Sequence, residues 1–281
     1  MTRGSCLCGE VRWSYDGEFS QATHCHCSMC RKGHAAPFGT YAVGPRAPFA
    51  FTAGEAAIRR YESSPGFIRS FCGRCGSVLP NPHFADIVAI PMGNFDEDPG
   101  LRPSAHIFVR WKAPWYPLTD LLTRHDNYPG ADAPAVDRPS PGPAADGVLG
   151  GSCLCGDVAF TVSSEFSRVF SCHCSRCRKA RAAAHTVNGF TAAENLQFIR
   201  GTEQLVTYRV PEARFFAHVF CARCGSGMPR ADRERGFAVV PFGALDDDPG
   251  RYADCHIFVG SKAPWFEITD GLPQFESLPT G

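Results

Sequence analysis

The sequence predicts a mostly β protein made of two tandem copies of one domain. Its 281 residues correspond to about two domains of the usual size, roughly 150 residues each. Its cysteine motifs occur twice in the same order, and its apolar runs are short, rich in β-branched and aromatic residues, and bounded by Gly and Pro. Since 44% of the residues are apolar and 20% are charged, each copy can bury a core.

The duplication is visible in three cysteine motifs. In the first half they read CLCG at 6–9, CHCSMCRK at 25–32 and FCGRCGS at 71–77, and in the second half CLCG at 153–156, CHCSRCRK at 172–179 and FCARCGS at 220–226. The offset between copies is 147 residues for the first two motifs and 149 for the third, which places a two-residue insertion between Tyr208 and Cys221. The segments 106–115 and 256–265, at an offset of 150, both begin with HIFV and end with KAPW. A repeat of this length is a duplicated domain.

The composition between the copies predicts a linker. Fourteen of the 24 residues from 127 to 150 are Pro, Gly or Ala, and Tyr128 is the only aromatic residue among them. Such a segment buries too little apolar surface to fold by itself. We therefore expect a first domain over 1–126, a linker over 127–150 and a second domain over 151–281, and nothing in the sequence requires the two domains to touch.

Within each copy the local pattern favours strands. We predict strands over 11–15 and 158–162, directly after a Cys-Gly turn, over 84–91 and 236–242, and over 106–109 and 256–259. Helical periodicity is scarce, and only the stretches 31–36 and 178–184, after the third cysteine of each CHC motif, are expected to start short helices. The 28 Gly and 23 Pro residues fit short strands joined by turns.

Charge and hydropathy argue against several classes of protein. The 28 Lys and Arg residues balance the 28 Asp and Glu residues, which argues against a nucleic-acid partner held by general positive charge. No segment approaches the roughly 20 apolar residues that span a bilayer, and the N-terminal segment has no apolar signal core. We therefore expect a cytoplasmic protein without a membrane partner. Fifteen cysteines in such a protein indicate metal ligands rather than disulfides.

Two of the motifs predict a closed metal site in each half. Cys-x-Cys in an extended segment presents two sulfurs on one side, and Cys-x-x-Cys-Gly curls around an ion with the Gly in a conformation unfavourable for other residues. Four thiolates then complete a tetrahedral zinc shell and leave no room for substrate. Iron and unpaired buried thiols are the alternatives. The two predicted sets are Cys6, Cys8, Cys72 and Cys75, and Cys153, Cys155, Cys221 and Cys224.

The CHCxxC motif predicts a second, open zinc site in each half, so that zinc would bind up to twice per domain and four times per chain. Three protein thiolates leave a fourth position, which a substrate thiolate would take and where its pKa would fall. A histidine that closes the shell, or a cluster without metal, is the alternative, although the middle residue of Cys-x-Cys faces away from the sulfurs. The two sets are Cys25, Cys27 and Cys30, and Cys172, Cys174 and Cys177.

The ordered motifs resemble those of the glutathione-dependent formaldehyde-activating enzyme (GFA) family, whose domain is shared with the centromere protein V group. The resemblance rests on CxCG, CHCxxCRK, FCxxCGS and KAPW, and it covers nearly all of both halves. It implies the Mss4-like fold, a β-rich scaffold around zinc with a structural four-cysteine site and a catalytic three-cysteine site. It also implies carbon–sulfur lyase-type chemistry, which joins glutathione and formaldehyde into S-hydroxymethylglutathione or reverses that reaction.

The polar residues inside the CHC motif are further candidates for that chemistry. His26 and His173 are candidate proton carriers for the new hydroxyl group, or else histidines hydrogen-bonded to the backbone beside the metal. The excess negative charge of a thiolate-rich site calls for cations, which would offset it or bind substrate carboxylates unless they are simply solvated. The candidates for that role are Arg31, Lys32, Arg178 and Lys179.

Other notable residues have structural interpretations. We expect His106 and His256 to be packed and hydrogen-bonded, Trp115 and Trp265 to close the core, and Cys255 to be a small buried residue without a partner. The functional alternative to the enzyme is a non-catalytic zinc module, either a thiol or aldehyde carrier or a protein-binding domain. The CHCxxC cluster favours the enzyme, because a structural module does not need it beside a closed four-cysteine site.

Overall fold

The structure is a computed structural model that describes residues 1–130 and 147–279. Most of the predicted linker over 127–150 therefore lies outside the described residues. The part that is described already contains the start of a strand at Val148. The sheets and short turns of both halves confirm the predicted mostly β class.

The described part of the first half contains eleven strands and one α-helix. These are β1 (Thr2–Ser5), β2 (Arg12–Tyr15), β3 (Gln21–Cys25), α1 (Ser28–His34), β4 (Gly39–Pro45), β5 (Phe49–Ala53), β6 (Ile58–Ser64), β7 (Phe67–Cys72), β8 (Val78–Leu79), β9 (Ile87–Pro91), β10 (Ala105–Ile107) and β11 (Thr123–His125). Short 3-10 turns cover Glu55–Ala57, Met92–Asn94 and Val109–Trp111.

The described part of the second half repeats this order with one additional strand and one additional 3-10 turn. Its elements are β12 (Val148–Ser152), β13 (Ala159–Ser163), β14 (Arg168–Cys172), α2 (Ser175–Arg181), β15 (Thr186–Ala192), β16 (Leu196–Arg200), β17 (Leu205–Arg209), β18 (Ala217–Cys221), β19 (Gly227–Met228), β20 (Arg230–Asp232), β21 (Phe237–Pro241), β22 (Cys255–Ile257) and β23 (Gln274–Phe275). Its 3-10 turns cover Ala193–Asn195, Thr202–Gln204, Phe242–Ala244 and Val259–Ser261.

Each half folds its strands into three sheets. The central sheet of the first half has the order β11-β10-β3-β4-β9, and that of the second half has the order β20-β21-β15-β14-β22-β23. In both, the strand that ends at the first cysteine of the CHC motif lies between an antiparallel and a parallel neighbour. The smaller sheets are β1-β2-β5 and β6-β7-β8 in the first half, and β12-β13-β16 and β17-β18-β19 in the second.

The turns around the cysteines follow from their sequence. The glycine after each Cys-x-x-Cys pair has a positive φ, 73° at Gly76 and 75° at Gly225, as the motif predicts. The helices begin earlier than predicted, at Ser28 and Ser175, because the middle cysteine of the motif acts as the N-cap. The Cys27 and Cys174 sulfurs each accept a hydrogen bond from the backbone N–H three residues on, which is the contact that starts a helix.

The two halves exchange part of their cores, so the domains pack closely against each other. Trp265 and Phe266 of the second half are buried in the first half's cluster around Trp13 and Ile90. Trp115 of the first half is buried in the other cluster, where its ring meets Phe242 at a centroid distance of 5.5 Å. The tryptophans close a core as expected, but each closes the core of the opposite half.

Glycine allows the backbones to meet at this interface. A Cβ at Gly93 would lie 2.3 Å from the backbone nitrogen of Ala183, and one at Gly243 would lie 2.3 Å from that of Ala36. Both contacts join a 3-10 turn of one half to the C-terminal end of the helix of the other half, across related positions. Any larger residue would force the halves apart at these points.

The described helices have seven residues each. Among the described residues, no helix is both long enough and apolar enough to cross a bilayer.

Candidate metal centres

The first closed group joins two turns of the first half. Cys6 and Cys8 lie between β1 and β2, Cys72 ends β7, and Cys75 lies in the turn to β8. All four sulfurs lie within 4.8 Å of one another. The Sγ–Sγ distance is 3.4 Å from Cys6 to Cys8 and 3.8 Å from Cys8 to Cys72.

The equivalent group in the second half has the same geometry. Cys153, Cys155, Cys221 and Cys224 again lie within 4.8 Å of one another. The Sγ–Sγ distance is 3.3 Å from Cys153 to Cys155 and 3.7 Å from Cys155 to Cys221. Both groups are thus assembled from the two motifs that the sequence paired.

These distances fit a metal ion and do not fit a disulfide. Four sulfurs at about 2.3 Å from zinc are about 3.8 Å apart in a tetrahedron, whereas a disulfide needs about 2.05 Å, and every cysteine of the chain is free. Backbone N–H groups of Val11 and Val158 lie 3.3 Å from the first sulfur of each group, and such donors favour the thiolate form. The donor sets therefore suit a soft cation with a complete shell of four protein ligands.

The first three-cysteine group lies at the junction of β3 and α1. Cys25 ends β3, Cys27 caps the helix and Cys30 lies in its first turn, with the three sulfurs within 4.8 Å of one another. Hydrogen bonds from Cys25 and Cys27, helped by the positive charge of Arg69, hold the pKa of Cys30 well below its usual range. The neighbouring sulfurs and burial raise the pKa of Cys25. The three sulfurs can together bind one metal cation.

Arg69 of β7 lies against the sulfurs of this first group. Its two terminal guanidinium nitrogens are 3.9 Å and 3.8 Å from Cys30 Sγ, and its Nε donates to Ser63 Oγ at 3.0 Å. Arg69 is 8% exposed. Burial alone would lower its pKa, but the Cys30 thiolate and Tyr41 raise it, so the guanidinium stays charged.

The second three-cysteine group has the same ligands but opens into a cavity. Cys172, Cys174 and Cys177 lie within 4.8 Å of one another, and all three line a cavity of about 880 Å³. Apolar side chains form much of its wall, among them Phe170, Phe190, Met228, Phe237, Val239, Ile257 and Phe258. The space is large enough for a small thiol compound and its adduct.

Arg181, the last residue of α2, is the cation whose charge acts on Cys177 of the second group, as the charge of Arg69 acts on Cys30 of the first. It lines the cavity, and its Nη1 is buried without a hydrogen-bond partner among the described residues. Burial lowers its pKa to about 10, while the Cys177 thiolate acts in the opposite direction, so the group is a cation at neutral pH. Neither Arg69 nor Arg181 was predicted from the sequence, where the only signals were a basic residue in β7 and another at the end of the helix.

His26 and His173 each begin a buried hydrogen-bonded chain. His26 Nε2 is 2.8 Å from His106 Nδ1, and His106 Nε2 donates to the Asp120 carboxylate at 2.9 Å. His173, His256 and Asp270 repeat this chain, at 2.8 Å and 2.9 Å. Because Asp120 and Asp270 can only accept, each chain fixes the tautomers and leaves Nδ1 of the first histidine as a bare, buried acceptor. His106 and His256 are packed and hydrogen-bonded, as expected; the carboxylates were not anticipated.

Both first histidines pack against rings that meet each other between the two halves, because Phe38 and His185 are 5.7 Å apart. The His26 ring packs on Phe38 at 5.2 Å, and the His173 ring packs on His185 at 5.0 Å. Burial and the adjacent His256 lower the pKa of His173 to about 3, and burial likewise lowers the pKa of His26. Both imidazoles are therefore neutral at physiological pH.

The predicted carboxylate-binding lysines serve the interface instead. Lys32 Nζ donates to Ala244 O at 2.8 Å and Ser152 O at 2.9 Å, and it pairs with Asp246 at 2.5 Å. Lys179 Nζ makes the related contacts with Asn94 O at 2.6 Å, Ser5 O at 3.2 Å and Asp96 at 2.5 Å. Three partners use up the donors of an ammonium group, so these lysines bind the opposite half of the chain.

The paired arginines bind backbone carbonyls within their own halves. Arg31 Nη1 donates to Trp111 O at 2.9 Å, and Arg178 Nε donates to Ser261 O at 3.0 Å. Cys255 is buried, as expected, and packs with Phe170 and Cys172. Arg31 Nε, like Arg181 Nη1, is buried without a hydrogen-bond partner among the described residues.

Comparison with known proteins gives one family match and a similarity to solved chains. The family described as glutathione-dependent formaldehyde-activating enzyme matches residues 1–111 and 148–261, which confirms the resemblance in both halves. Three solved chains match; one, a Rhodobacter sphaeroides protein, is 24% identical with a TM-score of 0.28, and the match covers 35% of this chain and 88% of that one. No curated protein matches.

Proposed function

The chain belongs to the glutathione-dependent formaldehyde-activating enzyme family, and from that premise we propose that it makes or breaks the carbon–sulfur bond between a thiol and an aldehyde. The observation that carries the proposal is the cavity of about 880 Å³ that ends on Cys172, Cys174 and Cys177. A purely structural metal site needs no such space beside it.

Zinc is the metal we propose for all four groups, because thiolate-only donor sets with tetrahedral spacing suit it. Zinc held by the three cysteines of the open group would supply Lewis acidity and lower the pKa of a substrate thiol. The four-cysteine groups are saturated by protein ligands, so we assign them a structural role.

The chain itself would position the substrate and exclude water. Arg181 lines the cavity and is a cation that an anionic group there can pair with, and a carboxylate of glutathione is the natural partner in the family's reaction. The apolar wall formed by residues such as Phe170 and Phe237 lowers the local dielectric constant, which strengthens the contact with Arg181.

The proposed reaction balances without an oxidant or a reductant. In the synthetic direction the thiol sulfur forms a bond to the aldehyde carbon, the carbonyl π pair moves to the oxygen, and the thiol proton ends on the new hydroxyl group. In the lyase direction the carbon–sulfur bond breaks, the carbonyl forms again, and the proton returns to sulfur.

We propose a positioning role for His26 and His173. Their hydrogen bonds to His106 and His256 fix the backbone of the Cys-His-Cys segment, and neither histidine is among the residues that line the cavity. The free state of all the cysteines supports a reducing compartment, and we propose the cytoplasm.

The experiment that tests the function is exchange spectroscopy by NMR. Zinc-loaded protein is added to glutathione and ¹³C-formaldehyde, and the interconversion of free and S-hydroxymethyl forms is compared with the spontaneous rate. We expect acceleration by the native chain and loss of it in Cys174→Ser. Zinc-loaded native protein that leaves the spontaneous rate unchanged would favour the alternative, a non-catalytic metal module.

Metal analysis of the same samples tests the sites directly. The four cysteine groups predict about four zinc ions per chain after anaerobic purification, and about three in Cys174→Ser. Two zinc ions per chain in the native protein would show that the three-cysteine groups do not hold metal as isolated.

A further inference from the structure

We propose that the two three-cysteine groups have diverged, so that only the second one receives substrate, while the first is sealed by side chains of the chain itself. The proposal rests on the proposed function and specifies which copy carries it. The cavity also defines the substrate class: a thiol, or its aldehyde adduct, with an anionic group and a bulky apolar part.

The third cysteine of the first group is covered, whereas its counterpart Cys177 is half-buried. The Arg69 guanidinium lies 3.8 Å from Cys30 Sγ, so a cation of the protein already occupies the place beside the third cysteine. Cys30 is only 5% exposed. Arg69 is itself fixed by Ser63 and by the ring of Phe67, 5.1 Å away, so it is not a loose surface side chain.

Aromatic residues complete the cover. Trp111 and Phe108 are buried against Cys25 and Cys30, and Tyr128 packs edge-on against Phe108 at a centroid distance of 4.8 Å. Tyr41 O–H donates to His34 Nε2 at 2.6 Å, because the His34 Nδ1–H is used by the carbonyl oxygen of Arg181. Each of these residues is large and held by a specific contact.

The equivalent positions of the second half carry smaller or displaced side chains. His218 stands where the first half has Arg69, and its Nδ1–H donates to the carbonyl oxygen of Cys75 at 2.8 Å, which ties it to the opposite half. Asn188, Ser261 and Leu278 stand in place of Tyr41, Trp111 and Tyr128, and all three line the cavity.

The insertion in the second copy builds another part of the cavity wall. The extra two residues lie between Tyr208 and Cys221, and residues 212–217 of this stretch line the cavity. Phe215 lies in it with Arg214 and Arg235 stacked on its ring, at 4.8 Å and 4.2 Å. The first half has the short turn around Gly66 at the corresponding place.

The lining indicates what the cavity binds. The buried Nη1 of Arg181 has no partner among the described residues, and Arg214 and Arg235 add positive charge at the wall. One acidic residue of the lining, Glu212, opposes them. An anionic group in the cavity would pair with this positive charge, and an apolar substituent would pack against the phenylalanines of the wall.

The test is thiol binding to the chain with Co²⁺ in place of zinc, because the visible absorption of cobalt reports a change in its thiolate ligands. The probes are glutathione, benzyl mercaptan and 4-(sulfanylmethyl)benzoate. We expect one thiol per chain, and we expect the benzoate to bind at least about tenfold more tightly than benzyl mercaptan, which lacks the anion. Cys174→Ser should abolish the response.

Arg69→Ala tests the seal without touching a metal ligand. Removing this guanidinium should expose the first group and raise the stoichiometry towards two thiols per chain. Arg59→Ala, an exposed arginine on the neighbouring strand β6, is the matched control and should leave the stoichiometry at one. Circular dichroism of each variant verifies the fold.

The outcomes separate the two proposals. Two thiols per native chain, or a response that survives Cys174→Ser, overturn the division between the groups and leave the proposed function standing. Should Cys174→Ser fail to fold, the native stoichiometry and Arg69→Ala decide the question. Native protein without any thiol response contradicts the proposed function as well as the division.

Discussion

At the scale of single residues, Gly227 shows how a missing side chain shapes the second site. A Cβ at this position would lie 1.1 Å from Arg181 Nη1, so the guanidinium occupies space that only glycine leaves free. The first half has Val78 at the equivalent place. Gly227 therefore decides where the cation of the cavity can lie.

Gly227→Ala should displace Arg181 without removing its charge. We expect the affinity for 4-(sulfanylmethyl)benzoate to fall by about tenfold, as for the loss of one charged hydrogen bond, and the affinity for benzyl mercaptan to stay unchanged. Cobalt absorption titrations measure both. Gly271→Ala, where a Cβ meets nothing within 4 Å, is the control, and an equal loss for both thiols would contradict the role given to Arg181.

His185 is a second residue whose environment leads to a prediction, here for how stability depends on pH. It is 1% exposed, and neither ring nitrogen has a hydrogen-bond partner among the described residues. Burial, and then the neighbouring His173, lower its pKa well below the usual range. The unfolded state, with a pKa near 6.5, therefore binds the proton first, so this residue makes the protein less stable as the pH falls below about 6.5.

His185→Phe, which copies Phe38 of the first half, should remove this acid sensitivity. The difference in unfolding free energy between variant and native protein should grow by roughly 1 kcal/mol per pH unit between pH 6 and pH 5. Urea unfolding at several pH values measures it. The other buried histidines, including His173, titrate in both proteins and cancel in the difference. A difference independent of pH would contradict a neutral, buried His185.

At the scale of elements, the helices after the CHC motifs connect the metal sites to the interface. Each is capped by a metal-site cysteine, and a lysine in each binds the opposite half. The sequence predicted a helix in both places but not its early start. The capping hydrogen bond to the cysteine sulfur forms only when the three cysteines of the motif come together in the fold. The sequence predicted the lysines as cations that offset the charge of the site, bind substrate carboxylates or are simply solvated. It could not show their contacts with the opposite half, since those partners are 83 or more residues away.

Lys179→Met tests this connection. It leaves Asn94 O and Asp96 without their cationic partner, and we expect a loss of about 1 to 3 kcal/mol of unfolding free energy. Thermal and urea unfolding measure the loss. Arg168→Met, an exposed position on β14, should change the unfolding free energy by less than about 0.5 kcal/mol. Equal stability of the two variants would contradict the interface role.

The remaining elements fall into two classes, those that their own sequence pattern predicts and those that depend on contacts with distant segments. Segments that alternate or run apolar beside a Cys-Gly turn, such as Arg12–Tyr15 and Ala159–Ser163, were predicted from their pattern. Strands such as Ile58–Ser64 are mostly exposed or half-buried and carry two adjacent arginines, so their pairing with β7 was not visible. The cysteine groups were predictable because spacing alone brings them together, whereas the cavity depends on which side chains meet from distant segments.

At the scale of the whole molecule, the exchanged tryptophans make the two halves dependent on each other. Trp265 fills the first core and Trp115 the second, so a separated half would lose a buried aromatic anchor and expose the surface that received one. Phe/Trp-to-small losses of this kind cost several kcal/mol, a large part of the stability of a domain.

We therefore expect the halves to remain associated after a single cut between them. A protease site inserted between residues 138 and 139 is cleaved in the zinc-loaded protein, and light scattering after size-exclusion chromatography measures the mass. One particle of about the native mass is expected. Two separate, folded fragments would show that each core is complete without the other's tryptophan.

The pairing of Phe38 with His185, whose rings lie 5.7 Å apart, has a consequence for how such a chain changes over time. These positions are equivalent in the two copies and are in contact between the two halves. In an assembly of two identical chains, both contacting residues would be encoded by one codon. Every substitution there would change both sides of the contact at once. Joining the copies in one polypeptide removes that coupling, so one copy can mutate while the other keeps its original residue.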